Sequence, residues 1–193
     1  MSLLMQRIWA MPSADTFDVE PIGSFVRKYL RTSQVSIDPF SRNRHWATFT
    51  NDLNPETSAE SHLEAAEFLA SLKGKGIRAD LVIFDPPYSL EQCARAYQNV
   101  GRHVTMRDTQ IFGRWTEHKE ICADLLEDNG IFLHFGWHSN GMGLKHGFEL
   151  IECLVVAHGG AHNDTICIAE RKRPKSQELL QFAGADEGGK EKA

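Results

Sequence analysis

Apolar side chains recur along the chain at two spacings, one typical of helices and one typical of buried strands. Helical spacing predicts a first helix over residues 20–30. Asp18 is placed to cap this helix, and Pro21 suits its first turn. Similar patterns predict three further helices, at 57–72, 89–99 and 116–127.

Short apolar runs between the helices predict strands at 34–37, 46–50, 80–84, 131–135, 148–156 and 165–170. The last two are expected to form an antiparallel pair. Strands that alternate with helices predict an α/β domain with a mostly parallel sheet, occupying residues 1–173. The polar and charged segment 174–193 is expected to be a disordered tail.

Composition narrows the choice of partners. The chain has 193 residues, of which 41% are hydrophobic, so it can bury the core of one globular domain. Its 21 Lys and Arg face 26 Asp and Glu, for a formal charge of −5. This balance excludes binding of nucleic acid through bulk positive charge. A nucleic-acid partner would therefore need a local basic surface.

The four cysteines form no Cys-x-x-Cys pair, which indicates reduced thiols in a cytoplasmic protein. We expect no signal peptide and no membrane partner, because no apolar stretch is long enough to span a bilayer. Cys153, His158, His162 and Cys167 do not have the spacing of a standard zinc finger. No metal is therefore predicted.

The strongest chemical pattern is the apolar strand that ends at Asp85-Pro86-Pro87-Tyr88, called the 85–88 turn below. The Asp85 carboxylate and the Pro86 carbonyl can accept both N–H bonds of an aromatic amine, and Tyr88 can stack on the ring that carries it. Such contacts favour a pyramidal, nucleophilic nitrogen, so positioning is enough for methyl transfer without a covalent enzyme intermediate. A base in a duplex would first be flipped out of the stack.

Three acids, Asp38, Asp52 and Asp85, follow predicted strands. Ligands of open parallel sheets bind beyond the carboxyl ends of the strands, where these acids would lie. Asp52, after the second strand, is placed to accept hydrogen bonds from ribose hydroxyls. The alternative is that Asn51, Asp52 and Asn54 serve only as turn and capping residues.

Five segments in order carry a family resemblance: 37–40, 50–55, 84–88, 136–143 and 161–165. Together they resemble the compact adenine-specific DNA methyltransferases of bacteriophages and prophages. The resemblance covers most of residues 6–173. It implies a Rossmann-like class I methyltransferase fold with S-adenosylmethionine as the cofactor.

The resemblance also implies which residues bind the cofactor. They are Asp38, Phe40, Asn51, Asp52, Leu53, Glu64, Met11 and Pro12. The chain departs from the family in one place, because the run 38–45 contains none of the glycines that let backbone approach the cofactor. Arg42 and Arg44 there are expected to contact the cofactor's carboxylate or a phosphate. The alternative is that cofactor binding is weakened or lost.

Substrate contacts are expected at the same edge of the sheet. Trp137 and Asn140 follow the strand 131–135. Trp137 is a candidate wall of the base site, and the alternative is a loop aromatic that packs on the core. A basic surface for phosphates is predicted from Arg95, Arg102, Arg107, Arg114 and Lys119. The alternative for these residues is a solvated loop and helix face.

The resulting expectation is methylation of the N6 amine of adenine in DNA, in the cytoplasm of a bacterium or a phage-infected cell. Little chain remains for a separate target-recognition domain, so we expect short or relaxed sequence specificity. RNA adenine is the nearest alternative, and cytosine N4 is less favoured because those enzymes more often carry Ser before Pro-Pro-Tyr. A non-catalytic nucleic-acid-binding or anti-restriction accessory protein also remains open, as does the choice between monomer and homodimer.

Overall fold

The computed structural model describes residues 3–103, 105, 115–160 and 162–174. Seven strands in this part of the chain form one sheet. They are β1 (Leu4–Trp9), β2 (Ser36–Asp38), β3 (Phe49–Thr50), β4 (Ala79–Phe84), β5 (Leu126–Gly136), β6 (Phe148–Ala157) and β7 (Thr165–Lys172). Their order is β1-β6-β7-β5-β4-β2-β3, and β7 alone runs antiparallel to its neighbours among these seven. The predicted parallel sheet with a carboxyl-terminal antiparallel hairpin is therefore confirmed.

Four α-helices are described: α1 (Glu20–Leu30), α2 (Ala65–Gly74), α3 (Leu90–Asn99) and α4 (Thr116–Leu125). The first has its predicted bounds, but its N-cap is Val19 and not Asp18. Ser89 caps α3 as predicted, because its hydroxyl accepts a 3.2 Å hydrogen bond from the Gln92 amide. Helix α4 ends at Leu125, two residues before the predicted end, since strand β5 already begins at the next residue.

The helix predicted over 57–72 is wrong in its first half. Helix α2 begins at Ala65, because the segment before it is tied to β3 by hydrogen bonds that a helix would break. Asn51 Oδ1 accepts from the Leu63 amide at 2.9 Å, and Asn51 Nδ2 donates to the Leu63 carbonyl at 3.0 Å. The Asp52 amide also donates to the Ser61 carbonyl at 3.0 Å. The loop 51–64 is thereby folded back against the end of the sheet.

The sheet is covered on both faces. In β4, Leu81 and Ile83 pack in the cluster that contains α1, whereas Val82 and Phe84 pack in the cluster that contains α2 and α4. This alternation follows from the two-residue period of a strand. Both clusters are made of fully buried apolar side chains, so β4 lies at the centre of a three-layer domain. Its carboxyl end is held rigidly.

Strand β1 was not predicted. It pairs in parallel with β6 at one edge of the sheet, and all six of its residues are exposed. A strand that buries neither face lacks the alternation of apolar and polar residues by which strands are recognised. Within the described ranges, no helix combines the length and apolar content needed to cross a membrane.

The chain order places a crevice between β2 and β4. From β2 the chain continues outward to β3, and it then returns to the other side of β2 to form β4 and β5. Ligands of open α/β sheets bind at such a reversal, outside the carboxyl ends of the strands. Asp38 ends β2 and Asp85 follows β4, so two of the three predicted acids belong to the strands that border this crevice.

Candidate active site

A cavity of about 640 Å³ opens at the carboxyl ends of β2, β3 and β4. Its volume is in the range of sites for small molecules. The predicted residues that line it are Phe40, Arg42, Asn51, Asp52, Leu53, Glu64, Asp85, Pro86, Pro87, Tyr88 and Arg95. Residues from four separate segments of the chain, 40–53, 64, 85–88 and 95, are thus brought together around one space.

The 85–88 turn forms one wall of this cavity. The Tyr88 hydroxyl donates a short hydrogen bond to Asp85 Oδ1, and the Thr16 hydroxyl lies beside both groups. Burial raises the pKa of Asp85 to about 6, although the hydrogen bond from Tyr88 and the one from Thr16 act in the opposite direction. A carboxylate offers about four acceptor positions, so Asp85 retains capacity for an incoming amine.

Asp52 faces the same cavity from the end of β3. Its Oδ1 accepts from the Asn54 amide at 2.9 Å, and its Oδ2 accepts from the Arg42 amide at 3.1 Å. Each oxygen has a second lone pair, so the carboxylate can still accept from two further donors. Asp52 therefore has the free capacity that binding a pair of vicinal hydroxyls requires.

The turn after β2 adopts its shape without glycine. Arg42 has φ of 54°, the left-handed conformation in which glycine is normally favoured. The Arg42 amide donates to Asp52, and its Nη1 donates to the Ala14 carbonyl at 3.1 Å. These contacts offset the strain of the left-handed residue. The missing glycines therefore do not prevent the backbone from turning beside the cavity.

Asp38 lies beneath that turn and does not line the cavity. It is 2% exposed, and its Oδ1 accepts from the Phe40 amide at 3.0 Å. Burial is the main cause that raises its pKa to about 8, and the charges of Asp85 and Asp52 raise it further. Asp38 is therefore placed to support the turn that carries Phe40. The sequence predicted that Asp38 itself would bind the cofactor.

We expect Asp38→Asn to stabilise the protein at alkaline pH. Folding raises the pKa of the Asp38 carboxyl from 3.8 to about 8. The protonated carboxyl therefore stabilises the native state fully below pH 3.8, and this stabilisation is lost as the pH rises through about 8. The amide can still accept from Phe40 and never ionises. Urea unfolding should show a gain for the variant that is about 4 kcal/mol larger at pH 8.5 than at pH 4.5. If the gain in stability were the same at both pH values, ionisation of the buried Asp38 carboxyl would not be its cause.

Two predicted ligand residues are engaged with each other. Glu64 Oε1 forms an ion pair with Arg102 Nη1, and the Arg102 guanidinium lies 4.4 Å from the centre of the Tyr97 ring. Glu64 and Tyr97 line the cavity, so this pair links the start of α2 to the end of α3 at its rim. Arg102 was expected to contact phosphates, but here it holds α3 beside the cavity.

The remaining predictions fall in other places. Met11 is 68% exposed, and neither it nor Pro12 lines the cavity; Ala14 and Thr16, a few residues later, do. Arg107 and Arg114 lie outside the described residues.

Trp137 lines a second, smaller space beyond the end of β5. This second cavity of about 20 Å³ shares Pro86, Pro87 and Tyr88 with the large one. The Trp137 ring is edge-on to Tyr88, with 6.0 Å between their centres. Asn140 is not part of either wall, and its carbonyl accepts from Lys119 Nζ at 2.6 Å. The 85–88 turn thus separates two cavities.

Sequence reasoning missed Trp115, which lines the large cavity from the start of α4 together with His118, a residue the sequence offered only as a further donor to phosphates. Trp115 also lines the second cavity, and its φ of 49° is left-handed. Its ring packs edge-on against Phe40 at 5.8 Å and His118 at 5.0 Å. No local signal marks such residues, because their roles arise from packing between distant segments.

Among the described residues, no three His, Cys, Asp or Glu side chains are grouped so that they could hold a metal ion.

Comparison with known proteins supports the fold. No family model and no curated protein sequence matches the chain. The solved structure of yhhF from Escherichia coli, classed as a methyltransferase, is similar with a TM-score of 0.51 and 12% identity, over 85% of this chain and 88% of that one. A protein of Streptococcus mutans, classed as a methyltransferase dependent on S-adenosylmethionine, is similar with a TM-score of 0.50 and 11% identity. That match covers 76% of this chain but only 48% of the other.

These likenesses, together with the strand order, show a Rossmann-like class I methyltransferase fold, as the sequence predicted.

Proposed function

We propose that the protein transfers a methyl group from S-adenosylmethionine to the N6 amine of adenine in DNA. One observation carries this proposal. The 85–88 turn follows the central strand β4 and faces a cavity that Asp52 also lines. An acceptor site for an aromatic amine and a carboxylate with free acceptor positions therefore share one space in a methyltransferase fold.

The residues around the large cavity fit the proposed cofactor. Asp52 can accept from both ribose hydroxyls, because each of its oxygens keeps one lone pair. Phe40 and Leu53 provide apolar surface for the adenine ring, and the Arg42 guanidinium can pair with the methionine carboxylate. When bound, the cofactor supplies an electrophilic methyl group on a sulfonium sulfur.

We propose that Asn51 has a structural role beside the cavity. Its side chain is fully buried, and its amide nitrogen donates to the carbonyls of Pro39, at 3.2 Å, and Leu63, at 3.0 Å. Its oxygen is taken by the Leu63 amide. Asn51 thus ties together the two loops that border the site. This leaves contact with the cofactor to its neighbours Asp52 and Leu53.

The acceptor amine would be held by two oxygens of the 85–88 turn. Asp85 and the Pro86 carbonyl each accept one N–H bond, which reduces delocalisation of the nitrogen lone pair into the ring. Asp85 and Pro86 would hold the nitrogen so that its lone pair faces the methyl group that the cofactor would supply, and the sulfonium sulfur would leave with the electrons of the broken bond. The nitrogen then releases one proton, and Asp85, with a pKa raised to about 6, is the nearest base placed to take it. Positioning supplies most of the rate.

The rate of methyl transfer should depend on the ionisation of Asp85. Only the carboxylate accepts hydrogen bonds at both oxygens, so activity should fall as the pH drops through about 6. Tyr88→Phe removes a hydrogen bond that lowers the pKa of Asp85, so its midpoint should move to higher pH. Single-turnover rates between pH 4.5 and 9 measure both midpoints. A midpoint near 4 in both proteins would contradict the assignment.

The function is tested by incubating the protein with labelled S-adenosylmethionine and either DNA or RNA, followed by mass spectrometry of the nucleosides. N6-methyladenine in DNA supports the proposal. Product only in RNA, or N4-methylcytosine, would assign the same chemistry to another substrate. Calorimetry with S-adenosylmethionine is the companion measurement, because absence of binding would favour a non-catalytic nucleic-acid-binding or anti-restriction accessory protein.

A further inference from the structure

The second cavity contains a buried polar group that the mechanism above does not use. His134 is 2% exposed, and no hydrogen-bond partner reaches its Nδ1 atom. Nearly all buried polar atoms of folded proteins are paired, so an unpaired ring nitrogen calls for an explanation. The imidazole lines the second cavity together with Pro86, Tyr88 and Trp137.

Its position relative to the 85–88 turn is fixed by the sheet. His134 on β5 is paired in register with Phe84 on β4, the residue directly before Asp85. The imidazole stacks on the Phe84 ring, with centres 6.1 Å apart and planes inclined by 20°. The His134 ring is buried and also stacks on Phe132, at 6.4 Å, so packing limits its movement relative to the 85–88 turn. This rigidity is what recognition of a flat ring requires.

Space is available at the edge of the imidazole. A Cβ atom built on Gly136 would lie 3.5 Å from His134 Cε1, the carbon between the two ring nitrogens. Gly136 also lines the second cavity. A glycine at this position therefore leaves space beside Cε1, and the buried Nδ1 is the next atom of the ring. His138 stacks on the other side, with ring centres 5.7 Å apart, and its Nδ1 accepts from the Asn140 amide at 3.3 Å.

The imidazole is uncharged at physiological pH. Burial is the main cause that lowers its pKa to about 3, and the nearby positive charge of Lys119 acts in the same direction. A neutral imidazole has one N–H donor and one acceptor nitrogen. It can therefore donate to a ring nitrogen of a base without attracting phosphate anions, which suits a recognition residue inside an aromatic site.

We propose that His134 determines base specificity by donating a hydrogen bond to a ring nitrogen next to the acceptor amine. The inference rests on the proposed function: the amine lies beside Asp85 in the large cavity, and the neighbouring edge of the base reaches past Pro86 and Tyr88, which line both cavities, into the second cavity. The cavity of about 20 Å³ is too small for a base as it stands. Trp137 is 42% exposed and edge-on to Tyr88, so rotation of its ring outward is the movement that would admit one.

The test compares unmodified protein with His134→Phe on three oligonucleotides. These contain adenine, 1-deazaadenine or 7-deazaadenine at the methylated position, so that one of the two ring nitrogens beside the amine is replaced by carbon. With adenine, His134→Phe should lose kcat/KM by on the order of tenfold to a hundredfold. With the analogue that lacks the contacted nitrogen, the two proteins should be equal. His134→Asn, which keeps a donor and an acceptor, should recover part of the loss.

Other outcomes overturn the inference. If His134→Phe loses the same factor with all three oligonucleotides, the residue acts only through packing. If the variant keeps full activity with adenine, the imidazole does not contact the base. Melting temperature and cofactor affinity are the controls, and both should match the unmodified protein because phenylalanine fills the same space. If the unmodified protein binds cofactor but methylates no adenine, the proposed function itself fails, and with it the inference.

Discussion

Asp85→Ala is expected to abolish methyl transfer, with a loss of about 10³-fold or more in the single-turnover rate. The carboxylate is the one side chain of the 85–88 turn that accepts from the Tyr88 hydroxyl and can also accept from a substrate amine. Alanine removes the acceptor, and it also frees Tyr88 from its hydrogen bond. Without the carboxylate, one N–H bond of the substrate amine has no acceptor. The nitrogen lone pair then stays delocalised into the ring, and the amine is a poor nucleophile.

The loss must arise at the chemical step and not from misfolding. Asp85 follows β4, whose packing does not involve its carboxylate, so the fold should persist. The pKa of Asp85 is raised to about 6 chiefly by burial, and removal of such a group should keep or increase the melting temperature at pH 8. Calorimetry should find cofactor affinity within a few fold of the unmodified protein. Activity retained by Asp85→Ala would refute the assigned role.

Asp164→Ala is a matched control for that experiment. Asp164 lies in the turn between β6 and β7, with a side chain that is 41% exposed, lies 4.0 Å from Arg7 Nη2 and accepts a long, 3.4 Å hydrogen bond from the His158 amide. It lines neither cavity. An exposed ion pair contributes little to stability, so this variant should keep both its fold and its activity. Comparison of the two variants shows whether the loss of activity is specific to the carboxylate of the 85–88 turn.

The features predicted well from sequence are those decided by neighbouring residues. Helix α1 has the expected bounds, and Ser89 caps α3, because periodicity and capping depend on a few adjacent side chains. The 85–88 turn follows a buried strand for the same reason, since a continuous apolar run indicates a strand covered on both faces. Strand ends then place the acids at one edge of the sheet.

The features predicted poorly depend on contacts between distant segments. Asn51 binds Leu63 and so replaces the first half of the expected helix with a loop. Arg102 binds Glu64, a partner that follows only from how α3 lies beside α2. His134 stands in an unremarkable apolar run, and its unpaired nitrogen becomes visible only when β5 is placed beside β4. Residues that form sites by tertiary packing carry no local signal.

The turn between β2 and β3 depends both on its local sequence and on contacts with distant residues. Its lack of glycine suggested weakened cofactor binding, yet Arg42 adopts the left-handed conformation that a glycine would provide. The carboxylate of Asp52 holds the Arg42 amide, and Arg42 in turn holds the Ala14 carbonyl. Asp52 therefore has two tasks, since it shapes the turn and faces the cavity. Its removal should affect the cofactor more than removal of any other acid around the cavity.

Asp52→Ala is expected to weaken binding of S-adenosylmethionine by about 100-fold or more, because each hydrogen bond from a hydroxyl to a carboxylate contributes roughly 1.5–3 kcal/mol. Calorimetry measures the affinity, and equilibrium dialysis with labelled cofactor extends it to weak binding. Asp52→Asn separates the two tasks of this residue. Its amide oxygen can still accept from one backbone N–H but has lost the charge, so it should fold like the unmodified protein and still bind weakly. If the unmodified protein binds the cofactor and Asp52→Ala binds it equally well, the ribose lies elsewhere and the cavity needs another occupant.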